Sequence, residues 1–131
     1  MINYIVNCRP GVRVIAELRE AVGWNRMEQS LSDERMTSFV NIAAYNGGEL
    51  VGYADSVSNG VTDAYIQDVM VRPDYQGMGI GTELMRRMIS EISGRGVYMI
   101  SVVYDPSLSG FYRRFGFTEM LSGQLETRKE K

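Results

Sequence analysis

Apolar residues alternate with polar ones at Ile2, Tyr4 and Val6, the period of two that a half-buried strand requires. Arg9-Pro10-Gly11 ends this strand, and the spacing then changes: Val14, Ile15, Leu18, Ala21 and Val22 recur with a helical period as far as Gly23. Pro10 suits the entry, because a first-turn residue has no intrahelical use for the amide that proline lacks. A second, weaker amphipathic helix is predicted over residues 27–38, carried by Met27, Leu31 and Met36. The run Phe39 to Tyr45 reads as a strand. Asn46-Gly47-Gly48 supplies the positive-φ residues of a tight hairpin into a strand over 49–57, and Asn59-Gly60 marks a second turn into a strand over 63–71.

Further on, Ile80, Leu84, Met85, Met88, Ile89 and Ile92 form a long helical stripe closed by Gly94 and Gly96, ahead of the β-rich run Val97 to Tyr104. Strand, helix and strand in this order predict a right-handed crossover between parallel strands. A short helix over 107–115, with Leu108, Phe111, Tyr112 and Phe115 on one face, and a strand near Phe117 to Leu121 complete the pattern. The charged residues 125–131 are expected to fray. No repeat or linker interrupts the chain, so residues 1–131 are expected to form one mixed α/β domain.

Composition then removes whole classes of chemistry. The net charge of −2 gives no basic face for nucleic acid. Histidine is absent, which excludes Ser/His/Asp and Cys/His nucleophilic systems and every histidine-containing zinc site; no metal is expected. The only lysines are Lys129 and Lys131, so a buried catalytic lysine is excluded as well. Cys8 is the single cysteine, expected as a small half-buried residue of the first strand, and it has no internal disulfide partner. Neither an export signal nor a run of ~18 apolar residues is present, so no membrane is expected and the cytoplasm is the expected compartment.

The chemistry-bearing stretch runs from Val69 to Thr82, with a glycine-rich turn between a buried strand and a long helix. Such a turn lets backbone amides converge on an anion, and the helix end adds about half a positive charge. A Walker loop fails here for want of a lysine. A Rossmann fingerprint fits poorly, because Arg72 to Tyr75 intervene after the strand and Thr82 stands where a third glycine belongs.

Gln76, Gly79 and Gly81 match the Gln/Arg-x-x-Gly-x-Gly/Ala pattern, so the segment resembles motif A of the GCN5-related N-acetyltransferase (GNAT) superfamily. Phe111-Tyr112-Arg113-Arg114-Phe115-Gly116-Phe117 is similar to its Phe-Tyr-x-x-x-Gly-Phe motif B. The resemblance extends over nearly the whole chain, and it implies a β-α-α-β-β-β-α-β-α-β order with a splayed parallel strand pair. It also implies acetyl-CoA as cosubstrate and direct acetyl transfer to the amine of a small molecule or peptide. By the same resemblance, the backbone of Met70 and Val71 would face pantetheine, and the amides of Gln76, Gly77, Met78, Gly79, Ile80, Gly81 and Thr82 would hold the pyrophosphate. Arg72, Arg113 and Arg114 are candidates for the adenosine phosphates, and Tyr112 takes the place of the general acid.

Two departures from the family pattern matter. Gln67 stands where polyamine-type members carry a glutamate base, and glutamine cannot take a proton. The neighbouring Asp68 is a candidate for catalysis or for holding a cationic substrate, but strand alternation points it to the other face unless a bulge re-aims it; a water chain is the alternative. Asp105 stands where the family often has a cofactor-contacting asparagine, and a helix cap is its other reading. Trp24, Tyr53 and Gln67, with Asn25, Tyr45 and Tyr65, are placed by analogy at the acceptor pocket. The missing glutamate leaves a second expectation, a degenerate module that binds or senses acyl-CoA. A poorly paired last strand would open a route to a homodimer by strand exchange.

Overall fold

A computed structural model describes all 131 residues. Its elements are β1 (Ile2–Val6), α1 (Val12–Ala21), α2 (Glu28–Leu31), β2 (Ile42–Asn46), β3 (Glu49–Ser58), β4 (Asp63–Val71), α3 (Ile80–Gly94), β5 (Met99–Val102) and α4 (Ser109–Arg113). Single turns of 3-10 helix precede α3 at Pro73–Tyr75 and α4 at Pro106–Leu108. The strands lie side by side in chain order. Each neighbouring pair is antiparallel except β4 and β5, which run parallel and are joined through α3. No helix is long and apolar enough to cross a membrane.

The two faces of the sheet bury separate cores. Ile80, Leu84, Met85, Met88 and Ile92 of α3 pack with Ile42, Ala44, Ala54 and Ile66, whereas Ile15, Ala16 and Leu18 of α1 pack with Ala43, Leu50, Tyr53 and Met70. Alternation within β2 serves both, Ile42 and Ala44 going to one core and Ala43 to the other.

Two irregularities shape the functional end. Pairing of β4 with β5 runs only from Asp63↔Met99 to Ile66↔Val102, so the strands separate beyond those residues. On its other side β4 carries a bulge: Tyr53 pairs with Met70 and Asp55 with Gln67, leaving Asp68 and Val69 opposite the single residue Ala54. Asp68 has a φ of 57°, unusual for a residue with a side chain. The extra residue inverts the alternation. Ala64 and Ile66 face the α3 core, but beyond the bulge Met70 faces the α1 core, and Val69 and Val71 take the α3 side.

Three expectations meet a different structure. The helix over 27–38 shrinks to the four residues of α2, because polar side chains compete for the backbone that would extend it. Ser32 Oγ donates to the Glu28 carbonyl at 2.7 Å, and Asp33 Oδ1 accepts from the Arg35 amide at 2.9 Å. No strand forms over Phe117–Leu121. Gly116 turns the chain at φ 94°, and Glu119 is drawn back to α4 by Ser109 Oγ at 2.7 Å and Arg113 at 2.6 Å. Cys8 lies past the end of β1 and is exposed. The last residues reach the loop between α1 and α2, where the Met27 amide donates to the Lys131 carbonyl at 2.7 Å and Ser30 Oγ donates to the Glu130 carboxylate.

Close approach of α3 to the sheet depends on Gly52. A Cβ there would lie 3.0 Å from Ile80 Cγ2, 3.2 Å from Leu84 Cδ1 and 3.3 Å from the Met70 carbonyl. Gly52→Ala is expected to lower stability by roughly 1–3 kcal/mol through overpacking, read as a lower urea midpoint with an unchanged m-value.

Candidate functional site

The glycine-rich turn lies between β4 and α3. Gly77 and Gly79 adopt φ of 81° and 83°, which a side chain would resist, and neither has an atom within 4 Å of where a Cβ would sit. Gly79 caps α3 without a side chain, so the opening amides of the helix find no partner in it. The six consecutive N–H groups from Gly77 to Thr82 make no hydrogen bond within the protein; the first helical bond at this end is Glu83 N–H to the Gly79 carbonyl, 3.0 Å. This is a positive concavity built from main chain, suited to a phosphate or pyrophosphate. Gly81 serves packing instead, its Cβ position lying 3.6 Å from Phe111 and 3.7 Å from Val71.

Of the three candidate arginines, only Arg114 reaches this turn, with Nη2 3.3 Å from Thr82 Oγ1 and the guanidinium over the Phe111 and Phe115 rings. Arg72 is occupied by Glu49 at 3.6 Å and the Leu50 carbonyl at 3.2 Å, and Arg113 by Glu119.

The turn opens onto the gap between β4 and β5. Arg72 N–H bonds the Val51 carbonyl of β3 at 2.8 Å, so alternation turns the Val71 peptide groups the other way, toward the gap. The Gln76 side chain confirms that direction: its Nε2 donates to the Val71 carbonyl at 3.0 Å, leaving the Val71 N–H as the group presented. Register then corrects one expected cofactor contact. Paired with Tyr53, Met70 directs its peptide groups to β3 and buries its side chain against α1; Val69, two residues before Val71, is the strand residue that shares the gap.

Tyr112 of α4 closes the far side. It is 5% exposed, stacks on Tyr104 at 4.4 Å between ring centroids, and meets Phe111 and Phe117 edge-on. Its hydroxyl has no hydrogen-bond partner in the protein and is not sealed from solvent. Burial raises its pKa above the ordinary 10.0, and the neighbouring Tyr104 and Tyr65 raise it further, so the phenol keeps its proton throughout the neutral range. Asp105, expected near the cofactor, caps the 3-10 turn before α4 through Ser107 N–H at 2.9 Å, and that bond lowers its pKa.

On the α1 side of β4, the bulge does re-aim Asp68. Its Oδ1 pairs with Arg19 Nη1 at 3.1 Å, and the two side chains are 31% and 8% exposed. Gln67 lies beside it, opposite Asp55 of β3. Trp24, half exposed on the α1–α2 loop, receives the Arg19 guanidinium over its ring at 5.3 Å. Tyr53, expected as a pocket wall, is a core residue: it is 1% exposed and its hydroxyl donates to Asp55 Oδ2 at 3.0 Å. Arg19 escaped the sequence reading, although its position four residues after Ile15, on the apolar side of α1, was the available signal.

An anion cradle of glycine amides, a gap between diverging parallel strands and an unpartnered phenol lie together at one end of a mixed sheet. Residues 4–117 match the family model of the acetyltransferase (GNAT) family, and the chain belongs to that family. Among curated proteins it is 33% identical over 92 residues to serotonin N-acetyltransferase 2, chloroplastic, of Oryza sativa subsp. japonica, covering 70% of this chain and 46% of the rice protein. The chain spans about half the length of the curated relatives it matches. Its fold is that of SA2161 from Staphylococcus aureus, with a TM-score of 0.86 at 21% identity over 98% of this chain and 100% of the other. It is also that of a GNAT family acetyltransferase from Brucella melitensis solved with acetyl-CoA, with a TM-score of 0.72 at 20% identity over 100% and 94% of the two chains.

The buried phenol of Tyr53 makes stability pH-dependent. Burial, then the Asp55 charge, raise its pKa well above 10.0, so the folded chain holds this proton more tightly than the unfolded one. The resulting stability is intact below about pH 10 and is lost as pH rises beyond it. Tyr53→Phe is expected to be less stable at neutral pH but to show a shallower loss between pH 10 and 12, measured by urea unfolding across that range.

Proposed function

We propose that this chain is an acetyl-CoA-dependent N-acetyltransferase that moves the acetyl group directly to a primary amine of a small molecule or peptide. The observation that carries this reading is the run of six unpartnered amides from Gly77 to Thr82 at one end of a strand gap flanked by the free hydroxyl of Tyr112. In this reading the amides from Gly77 to Thr82 bind the pyrophosphate, the Gln76 amide being bonded to the Pro73 carbonyl at 3.3 Å, Arg114 adds charge beside Thr82, and pantetheine extends along Val69 and Val71. Asp105 serves as a cap beside that path.

The reacting amine must first lose a proton, since an alkyl ammonium has a reference pKa of about 10.4. Gln67 offers no titratable group. Asp68 keeps Oδ2 free of protein partners while Oδ1 holds Arg19, and we assign Oδ2 to orient the amine and the water that carries its proton away. The amine nitrogen attacks the thioester carbon, and Val71 N–H receives the charge developing on the carbonyl oxygen. The carbon–sulfur bond then breaks, and the Tyr112 hydroxyl gives its proton to the departing thiolate before regaining one from water. Trp24 and Asn25 supply the acceptor side. Strand exchange at the open edge of β5, giving a homodimer, and a cytoplasmic location belong to the same proposal; the rice relative is described as chloroplastic.

Thiol release from acetyl-CoA, measured with polyamines, arylalkylamines, amino acids and peptides, tests the reading. Amine-dependent release that falls by about tenfold or more in Tyr112→Phe is the expected outcome for loss of a general acid. Binding of acetyl-CoA without amine-stimulated release would establish the acyl-CoA-binding module instead. Gly79→Ala forces a side chain into a left-handed conformation at the cradle. It is expected to weaken acetyl-CoA binding by about tenfold, equivalent to roughly 1.4 kcal/mol, by titration calorimetry.

A further inference from the structure

The least exposed charged residue of the molecule, Arg19, takes no part in the acetyl transfer described above, yet it contacts both halves of the acceptor side. Its guanidinium is used on every edge. Nε donates to the Asn25 carbonyl at 2.7 Å, Nη2 donates to Asn25 Oδ1 at 2.8 Å, Nη1 pairs with Asp68 Oδ1 at 3.1 Å, and the Trp24 ring covers one face. Asn25 and Trp24 belong to the loop between α1 and α2, whereas Asp68 is the bulged residue of β4. The line continues outward, since Asn25 Nδ2 donates to the Glu130 carbonyl at 3.4 Å and the Met27 amide to the Lys131 carbonyl.

Asp68 holds a φ of 57°, a left-handed conformation that is strained for a non-glycine residue and persists only where its surroundings impose it. The bulge it sustains is what turns Val69 and Val71 into the gap. A planar guanidinium that grips the bulge on one edge and the loop on two others is suited to impose that conformation, and no other side chain pairs with Asp68.

We propose that Arg19 is a positioning residue: it locks the Asp68 bulge of β4 to the α1–α2 loop, so that the acyl-binding amides and the acceptor-binding loop hold a fixed relation. This rests on the acetyltransferase reading for its kinetic consequence, but its structural consequence can be read without turnover. Arg19 is then set by both sides at once. Loosening the loop loosens the strand amides, and the reverse also holds.

The test uses the full chain with Arg19→Gln, Asp68→Asn and the double variant, each checked for cooperative thermal unfolding. Amide hydrogen exchange in the protein without ligand is the first readout. Exchange at Met70 and Arg72, whose amides face β3 just beyond the bulge, is expected to rise tenfold or more in both single variants, with α3 amides from Leu84 to Ile92 unchanged and the double variant no faster than either single. In turnover with the best amine, kcat is expected to fall about tenfold while the Kd for acetyl-CoA stays within twofold, and the effects of the two substitutions are expected not to multiply. Arg19→Lys keeps the charge but loses the fork to Asn25, and is expected to restore less than half of the lost kcat. Three results would overturn the proposal: unchanged exchange at Met70 and Arg72, exchange raised equally in α3, or effects that multiply in the double variant. Absence of turnover in the unsubstituted protein would count against the acetyltransferase reading alone, because the exchange measurement still decides the role of Arg19.

Discussion

The site depends on one extra residue in β4. A regular strand would send Met70 to the α3 core and Val71 to the α1 side, and its peptide groups would stay within the sheet. With Asp68 and Val69 placed opposite Ala54, the alternation inverts and the strand twists away from β5 just where pairing at Ile66↔Val102 ends. The bulge therefore does two things together. It opens the gap, and it selects which main-chain groups line it. The cost is a side-chain-bearing residue in left-handed geometry, which the Arg19 contact offsets.

The glycine turn follows from the same constraint. Val71 ends the strand with its carbonyl toward the gap, and Gln76 reaches back five residues to bond it, tying the start of the turn to the end of the strand. Gly77 and Gly79 then reverse the chain, and α3 begins with its free amides directed at the same opening. Gly81 allows Phe111 to approach, which brings α4 and Tyr112 against the crossover helix. Tyr112 and the anion cradle are thus connected through the packing of Phe111 on Gly81, with the Arg114 bond to Thr82 Oγ1 as the polar tie beside it.

Much of this was legible in the sequence. Strand and helix periods located every element of the sheet and α3, because each buries one face or stripe and the pattern records that burial. The glycine spacing located the cradle for the same reason: positive φ and missing side chains are properties of the residues themselves. The peptide directions of Met70 and Val71 were not legible, since alternation across a bulge depends on pairing with a distant strand. Tyr53 looked like an available aromatic wall, but only the packing of α1 decides that it is core. The strand expected over Phe117–Leu121 failed on the pull of Glu119 toward Ser109 and Arg113, a contact between side chains that no local pattern encodes. Arg19 sat in plain view among apolar positions of α1, where an arginine reads as a helix-surface charge until its partner is known.

The ion pairs of the folded body, from Arg19–Asp68 to Arg113–Glu119, are all made by arginine. A guanidinium stays protonated under any physiological condition and is a poor nucleophile, whereas a lysine amine beside a thioester is a ready acceptor. An activated acyl donor bound at the proposed site would meet no ε-amine before Lys129. Any self-acylation on lysine would be confined to the segment that lies against the α1–α2 loop, leaving the charges that hold the fold together beyond its reach.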